Sequence, residues 1–525
     1  MANANATHPI ALAGVLDAQT SQHLPTAAAG LVLVVFALLV QRWLTADPLA
    51  NVPYMGEGTK SEKKKQFMEG KAAQFYTEGY RKFKDSIFRI ATFQTKDSIC
   101  VPTKFLPELK KAPDDVISAA DANTEVMFSK YTKFENENVF IHHVVRSTLT
   151  PSLPRLNASI SEEVAESMRL ELPQSSNWSE VLINQKLLRI IAMVSGRVFV
   201  GPELCHDERY IDASINYTVD QMTAVNAISK VPAFLRPLVA TRLPETQTLY
   251  RRIDAGIEVI SPLITARRKA AEKGNYKAPN DLLQWIIDAQ TKLGTVSDRD
   301  LAMSQLTASF VAIHTTTAAT TNALYWLAAK PELTPMLRED VQQALAESKG
   351  EFTSLALQNM KKLDSFLKEC MRLSPGNVAS FTRKVLKSVK LPNGQTIPEG
   401  MFIGVSAQGV NQDPEIFPDP EVFDALRFYK LREGKVHADS GSKAAETVAQ
   451  AQLVSVGTTH LTFGYGKHAC PGRFFAVNEI KMIMANILCH YEIRMPDGVT
   501  ERYQDWVFGP MMGPDPSKTI MIRKL

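Results

Sequence analysis

The sequence predicts a mainly helical fold with small peripheral β-sheets, preceded by one membrane-crossing helix. Three observations lead to it. Apolar residues make up 45% of the 525, enough for a large core. Beyond residue 60, helical periodicity dominates and strand signals are short and scattered. Near the N-terminus an apolar run is long enough, with its flanks, to span a bilayer.

That run, residues 24–44, reads LPTAAAGLVLVVFALLVQRWL. Its strictly apolar centre, 27–40, is short for a span, but with the flanks it reaches about 30 Å at 1.5 Å per residue. Trp43 suits the interface and Arg42 can snorkel to it. A cleaved signal peptide would need a basic start, and no Lys or Arg precedes Arg42. Basic residues follow the run, so the rest of the chain should face the cytosol. Pro48 and Pro53 forbid helix continuation and form a stiff hinge. Lys60, Lys63, Lys64 and Lys65 form a basic cluster, either a contact for anionic headgroups or a solvated face. The expected organisation is an anchor over 1–46, a hinge over 47–60 and one soluble domain over 61–525.

In that domain, residues 298–330 form one long periodic stretch halted by Pro331. Further helices are expected over 339–348, 355–373 and 474–489. Strand signals cover 87–93, 98–101, 385–391, 401–405, 491–495 and 519–522, with a tight Asn-Gly turn over 391–395 between two of them. A polar, Ala/Ser-rich insertion, 433–452, reads as a surface loop or short exposed helix.

The charge balance of 59 basic against 55 acidic residues gives only +4, which excludes a nucleic-acid footprint. Cys100, Cys205, Cys370, Cys470 and Cys489 are odd in number and contain no C-x-x-C pair. This argues against a disulfide framework or zinc finger and for a reducing, cytosol-facing domain. Sequons at Asn5, Asn157, Asn177 and Asn216 arise often by chance, and the last three would be silent in the cytosol.

The decisive stretch is Phe463-Gly464-Tyr465-Gly466-Lys467-His468-Ala469-Cys470-Pro471-Gly472. Its glycines permit turns and close approach to a flat ligand. Cys470 precedes a helix that begins near Pro471, so its thiolate would sit in the field of free N–H groups. The bland alternative is a buried cysteine in a glycine turn. Three glycines in fixed register arise by chance about three times in ten thousand starts at about 7% glycine usage, and Phe463 and Cys470 in register make this rarer.

This stretch resembles the haem-binding loop of cytochrome P-450 enzymes, F-G-x-G-x-R-x-C-x-G, with His468 in place of the usual Arg. The resemblance implies the cytochrome P-450 fold and haem b (heme b, iron protoporphyrin IX) on the Cys470 thiolate, with Phe463, Gly464, Gly466, His468 and Gly472 around it. Other segments agree in order. Glu369 and Arg372 resemble the family's E-x-x-R, with Arg427 as the third member of a structural cluster. His142 and Arg146 resemble its W-x-x-x-R helix with the Trp replaced, and Arg383 matches the remaining propionate arginine. His314-Thr315-Thr316 resembles the distal motif, in which Thr315 would deliver protons to dioxygen. Taken alone, Thr315 to Thr317 could merely bond back to the preceding turn. His314 could relay protons, be a core histidine or touch substrate.

Residues 84–88, 197–203, 362–369 and 428–432 are similar to fungal ent-kaurene oxidase-type members, which implies terpenoid, steroid or related secondary metabolism. Family topology points to Phe310, Val311 and Ala312, to Val378 through Phe381, and to Phe508 through Met511 and Met512 as substrate contacts; for any single one, ordinary core packing is the alternative. No flavin or nicotinamide fingerprint is present. The resemblance therefore implies an NADPH-cytochrome P-450 reductase on the same endoplasmic reticulum membrane, with cytochrome b5 as a second electron donor. The expected activity is monooxygenation of a bulky lipophile. A haem-thiolate isomerase or dehydratase and a non-catalytic haem sensor are the alternatives, and Thr315 argues against both.

Overall fold

The structure is a computed structural model that describes residues 32, 35, 36, 49–94, 96–134, 139–273, 275–291, 296–434 and 448–525, with backbone alone for residues 139, 140 and 291. The chain divides into residues 1–53 and 54–525. The expected membrane span, 24–44, lies outside the described residues except for Val32, Val35 and Phe36, which are helical and exposed. Among the described residues no helix is long and apolar enough to cross a membrane.

The longest helices of the second unit are α1 (Thr150–Glu171), α2 (Ile183–Phe199), α3 (Glu208–Lys230), α4 (Pro244–Ala271), α5 (Asp298–Ala329), α6 (Thr334–Glu347), α7 (Lys361–Leu373) and α8 (Arg473–His490). Helix α5 is the axis. Ser297 and Asp300 start it with a reciprocal capping box, and Pro331 follows Lys330 to stop it. It packs against α2, α3, α4, α7 and α8, and Leu306, Ile253, Ile190 and Ile483 join one core cluster there. Each such fully buried side chain is worth about 1.5–3 kcal/mol. Gly256 lets α4 approach closely, since a Cβ there would lie 2.9 Å from the Leu306 methyls.

The sheets are small and flank this helical core, which Val181, Tyr491, Ile493, Ile520 and Ile522 of one of them join. Strands β1 (Phe88–Ile90), β2 (Ser98–Cys100), β3 (Ile117–Ser118), β5 (Ala379–Val385) and β8 (Phe402–Ser406) form one sheet in the order β1-β2-β8-β5-β3, with only β2 and β8 parallel. Strands β4 (Ser179–Val181), β9 (Tyr491–Arg494) and β12 (Ile520–Lys524) form a second. Strands β6 (Val389–Lys390) and β7 (Thr396–Ile397) form a hairpin closed by the expected Asn-Gly turn, with Gly394 at φ +85°. Strands β10 (Asp505–Phe508) and β11 (Met511–Pro514) form another.

Two expected elements differ from what folds. Residues 355–373 make not one helix but Ser354–Asn359 followed by α7. Asp340 of α6 breaks the run: its Oδ2 accepts the N–H groups of Lys362 and Leu363 at 3.0 Å each, capping α7 from another helix. The strand expected over 385–391 does not form as one element: β5, paired with β8, ends at Val385, and of the rest only Val389–Lys390 is extended, as β6. The insertion at 433–452 falls largely outside the described residues. Of the lysine cluster, Lys60 pairs with Asp97 at 2.7 Å, Lys63 donates to the Gly56 carbonyl and Lys64 to that of Phe93 at 2.9 Å. Most of the cluster is therefore engaged by its own domain.

Candidate functional site

The cysteine loop is built by local hydrogen bonding. Gly464 and Gly466 adopt φ +74° and +75°, conformations that disfavour a side chain. The Gly464 amide donates to the Leu461 carbonyl at 2.9 Å and the Cys470 amide to that of Phe463 at 2.8 Å. A 3-10 turn, Gly466–His468, closes the loop, and Gly472 caps α8. Cys470 is half-buried. Burial raises its thiol pKa, while the amides of Gly472 and Arg473 and the cations of Arg473 and Arg146 favour the thiolate.

The scaffold beneath is a buried ionic cluster. Glu369 is fully buried and receives Arg372 Nε and Nη2 at 2.9 and 2.8 Å. Arg427 Nε adds contacts at 3.1 and 3.2 Å. The remaining donors are satisfied by carbonyls: Arg372 on Asn411 and Pro420, Arg427 on Pro418 and Val422. Such completeness is what makes a buried ion pair tolerable.

Cations gather beside the loop. Arg146 lies in a five-residue π-turn, Val145–Leu149, and donates to the Lys467 carbonyl and, at 3.5 Å, to that of Ala469. His142 precedes it by one turn; burial and the nearby Arg146 and His468 keep its pKa down. His468 Nε2 lies 2.9 Å from Asp114, which also pairs with Lys467 at 3.0 Å. Arg383 is only 8% exposed. It stacks on the Phe381 ring at 4.2 Å and donates to the Thr382 carbonyl at 2.8 Å. No carboxylate within salt-bridge distance of it is found among the described residues.

Helix α5 is buried on both sides of its middle, from Leu301 to Ser309 and again from Thr320 to Tyr325. Between them Val311 (51% exposed) and Thr315 lie open at i, i+4 spacing, flanked by half-buried Ala312, Ala318 and Ala319. This core helix is therefore uncovered at its midpoint. Thr315 Oγ1 donates to the Val311 carbonyl at 2.8 Å, leaving its lone pairs free to accept. His314 points elsewhere. Its Nε2 is 2.8 Å from the Ile215 carbonyl of α3, which requires the Nε2–H tautomer, and burial lowers its pKa.

The expected substrate contacts divide. Phe310 packs edge-on against Phe134 and Tyr217 at 5.0 and 5.9 Å. Val378 is fully buried, and Phe381 is held at φ +55° in a bulge of β5. Met511 and Met512 are half-buried and Phe508 is exposed. Phe508 pairs with Met511 across the hairpin turn. The Val378 amide donates to the Pro510 carbonyl and the Met512 amide to that of Gly376, both at 2.9 Å. The two distant segments, 376–378 and 510–512, are thus brought together.

The family model for cytochrome P-450 matches residues 103–521. The cytochrome P-450 monooxygenase ATR3 of Stachybotrys chlorohalonatus is 40% identical over 427 residues, covering 81% of this chain and 88% of that protein. The chain belongs to the cytochrome P-450 family. The cytochrome P-450 monooxygenase AN1598 of Emericella nidulans is 34% identical over 464 residues, 87% and 84% of the two chains. The fold is that of the retinoic acid-bound cyanobacterial CYP120A1, with TM-score 0.65 at 16% identity over 88% of this chain and 96% of that one. Like its relatives, the chain is a cytochrome P-450 monooxygenase, and the family's cofactor is haem held by a cysteine thiolate.

The residues present fit such a group. A half-buried thiol faces amide donors, a buried arginine has no carboxylate at salt-bridge distance among the described residues, and the axial helix opens in its middle. Asp114 was not apparent from sequence. It is an ordinary acid in a loop, joined to His468 across 354 positions.

Proposed function

We propose that this cytochrome P-450 is a membrane-anchored enzyme of fungal secondary metabolism. It oxidises a bulky lipophilic substrate of the terpenoid or steroid kind, taking electrons from an NADPH-cytochrome P-450 reductase. The observation that carries the reading is the open midpoint of α5, where Val311 and Thr315 are exposed within an otherwise buried helix.

In this reading Cys470 holds the iron, its thiolate favoured by the Gly472 and Arg473 amides. Arg383, with His468, Arg146 and His142, anchors the propionates; Phe463, Gly464, Gly466 and Gly472 shape the loop against the ring. Bound haem supplies the oxidising power by which one oxygen atom enters a C–H bond and the other leaves as water. Thr315 holds a proton at Oγ1 and passes it into the distal space, accepting another through its free lone pairs. His314, neutral and fixed on Ile215, orients that stretch of α5 and keeps Nδ1 for solvent. Val311, Ala312, Phe508, Met511 and Met512 present apolar and pliable surface that orients the substrate and excludes water.

Residues 24–44 anchor the chain in the endoplasmic reticulum membrane with residues 61–525 in the cytosol. The absence of Lys or Arg before Arg42 supports this, as does a lipophilic substrate concentrated in the bilayer.

The test is full-length holoenzyme in lipid vesicles with the reductase, NADPH and isotopically labelled dioxygen, offered terpenoid and steroid lipophiles. Incorporation of one labelled atom is expected. Rearranged or dehydrated products formed without NADPH would overturn the reading.

A further inference from the structure

Among the described residues, Glu163, Cys205 and His206 are the one group of His, Cys, Asp or Glu whose ligating atoms all lie within 4.8 Å of one another. None of the three belongs to the cysteine loop or to α5. Glu163 is on α1; Cys205 and His206 are in the turn between α2 and α3. His206 Nε2 is 2.7 Å from Glu163 Oε1, and Cys205 Sγ is 4.0 Å from Glu163 Oε2. Ser167, one turn along α1, donates from Oγ to Glu163 Oε1 at 3.0 Å.

We propose that these three side chains bind one zinc ion, with a water as fourth ligand. Thiolate, imidazole and carboxylate are the zinc donor set, and three protein ligands plus water complete a tetrahedron. Two donors are rigidly placed. Cys205 is 1% exposed and Glu163 8%. Gly196 of α2 presses the turn closely, since a Cβ there would lie 3.2 Å from Cys205. His206 is the mobile donor at 40% side-chain exposure and provides the way in. Zinc–ligand lengths of about 2.0–2.3 Å need donors roughly 3.3–3.6 Å apart. A small swing of the exposed imidazole opens its 2.7 Å contact with Oε1, and the donors, all within 4.8 Å of one another, then close in on the ion, the sulfur from 4.0 Å off the second oxygen, Oε2. Ser167 is the outer partner that orients a ligating carboxylate.

On binding, the Cys205 S–H bond breaks, a zinc–sulfur bond forms and the proton leaves to solvent past His206. Glu166 and Glu208 add negative field at His206, although each also holds an arginine, Arg169 and Arg189.

The position gives the metal a role. Asp207, next to His206, caps α3 by accepting the Arg209 amide at 2.9 Å. Helix α3 in turn supplies the Ile215 carbonyl to His314 and the Tyr217 ring to Phe310. Zinc here would pin the start of the helix that covers the oxygen-side stretch of α5.

The experiment is metal analysis of haem-loaded full-length protein, saturated with zinc and then passed into metal-free buffer. About one zinc per chain is expected, with Cys205→Ser and His206→Ala both losing it while keeping haem. Ser167→Ala should weaken zinc binding roughly 10- to 100-fold. Cobalt in place of zinc should show a sulfur-to-metal charge-transfer band absent from Cys205→Ser. Should that variant misfold, His206→Ala, at an exposed side chain, gives the same readout. Wild-type protein retaining no more zinc than His206→Ala would overturn the proposal and leave the cluster a Glu163–His206 ion pair beside a buried thiol.

Discussion

Arg383 is a buried cation with no carboxylate at salt-bridge distance among the described residues. Burial lowers its pKa to about 10, partly offset by Asp114. It therefore remains charged at neutral pH and carries a burial cost that is only partly compensated. A depressed folded value means that cost is fully present below about 10 and fades only as pH rises beyond it toward the ordinary arginine range. Arg383→Leu should thus stabilise the haem-free chain by about 1–4 kcal/mol in denaturant unfolding, yet speed haem loss to an acceptor protein. A destabilised haem-free variant would contradict a propionate role. Thr315 is read through exposure. Its back-bond to Val311 matches the bland expectation for a helical threonine, but its openness in a buried helix does not. Thr315→Val should leave the haem spectrum intact and lower product formed per NADPH consumed roughly 100-fold; unchanged coupling would remove it from the proton path. Cys470 was legible because its surroundings are local, three glycines within ten residues. Asp114 was not, because only the tertiary fold brings it to His468.

At the scale of elements, the same division holds. Helix α5 was readable from its period and the proline that stops it. The break between Ser354–Asn359 and α7 was hidden, because the carboxylate that caps α7 belongs to α6. The hairpin of β10 and β11 was missed because its strands are short and its paired residues half exposed. The Glu369–Arg372–Arg427 cluster joins α7 to a segment more than fifty residues on. Glu369→Gln leaves two buried guanidiniums short of an anion and should cost about 3–5 kcal/mol, read as lost haem incorporation and a lower Tm. Helix α8 carries Glu479, fully buried beside Ser195, its pKa raised to about 8 by burial. The folded state prefers the protonated acid. Its contribution is therefore present below the unfolded value near 4.5 and is lost as pH rises to 8, by at most about 1.4 kcal/mol per pH unit. Glu479→Gln should flatten that decline; an unchanged pH profile of Tm would show the carboxyl to be ionised or solvated.

At the scale of the whole molecule, a helical core around α5 leaves two surfaces for chemistry, the cysteine loop leading into α8 and the open middle of α5. The sheets are small, yet backbone hydrogen bonds beside them bring the distant segments 376–378 and 510–512 together. Deleting residues 1–46 should release the protein from membranes while leaving its haem spectrum unchanged; a deleted form that still sediments with vesicles would place the lipid contact elsewhere. The central claim, that Cys470 is the thiolate ligand, is tested most directly by the absorption difference between dithionite-reduced protein with and without carbon monoxide. A strongly red-shifted Soret band is expected in the wild type and its loss in Cys470→Ala. An imidazole-like band in well-folded wild-type protein, or a red-shifted band surviving in Cys470→Ala, would contradict it.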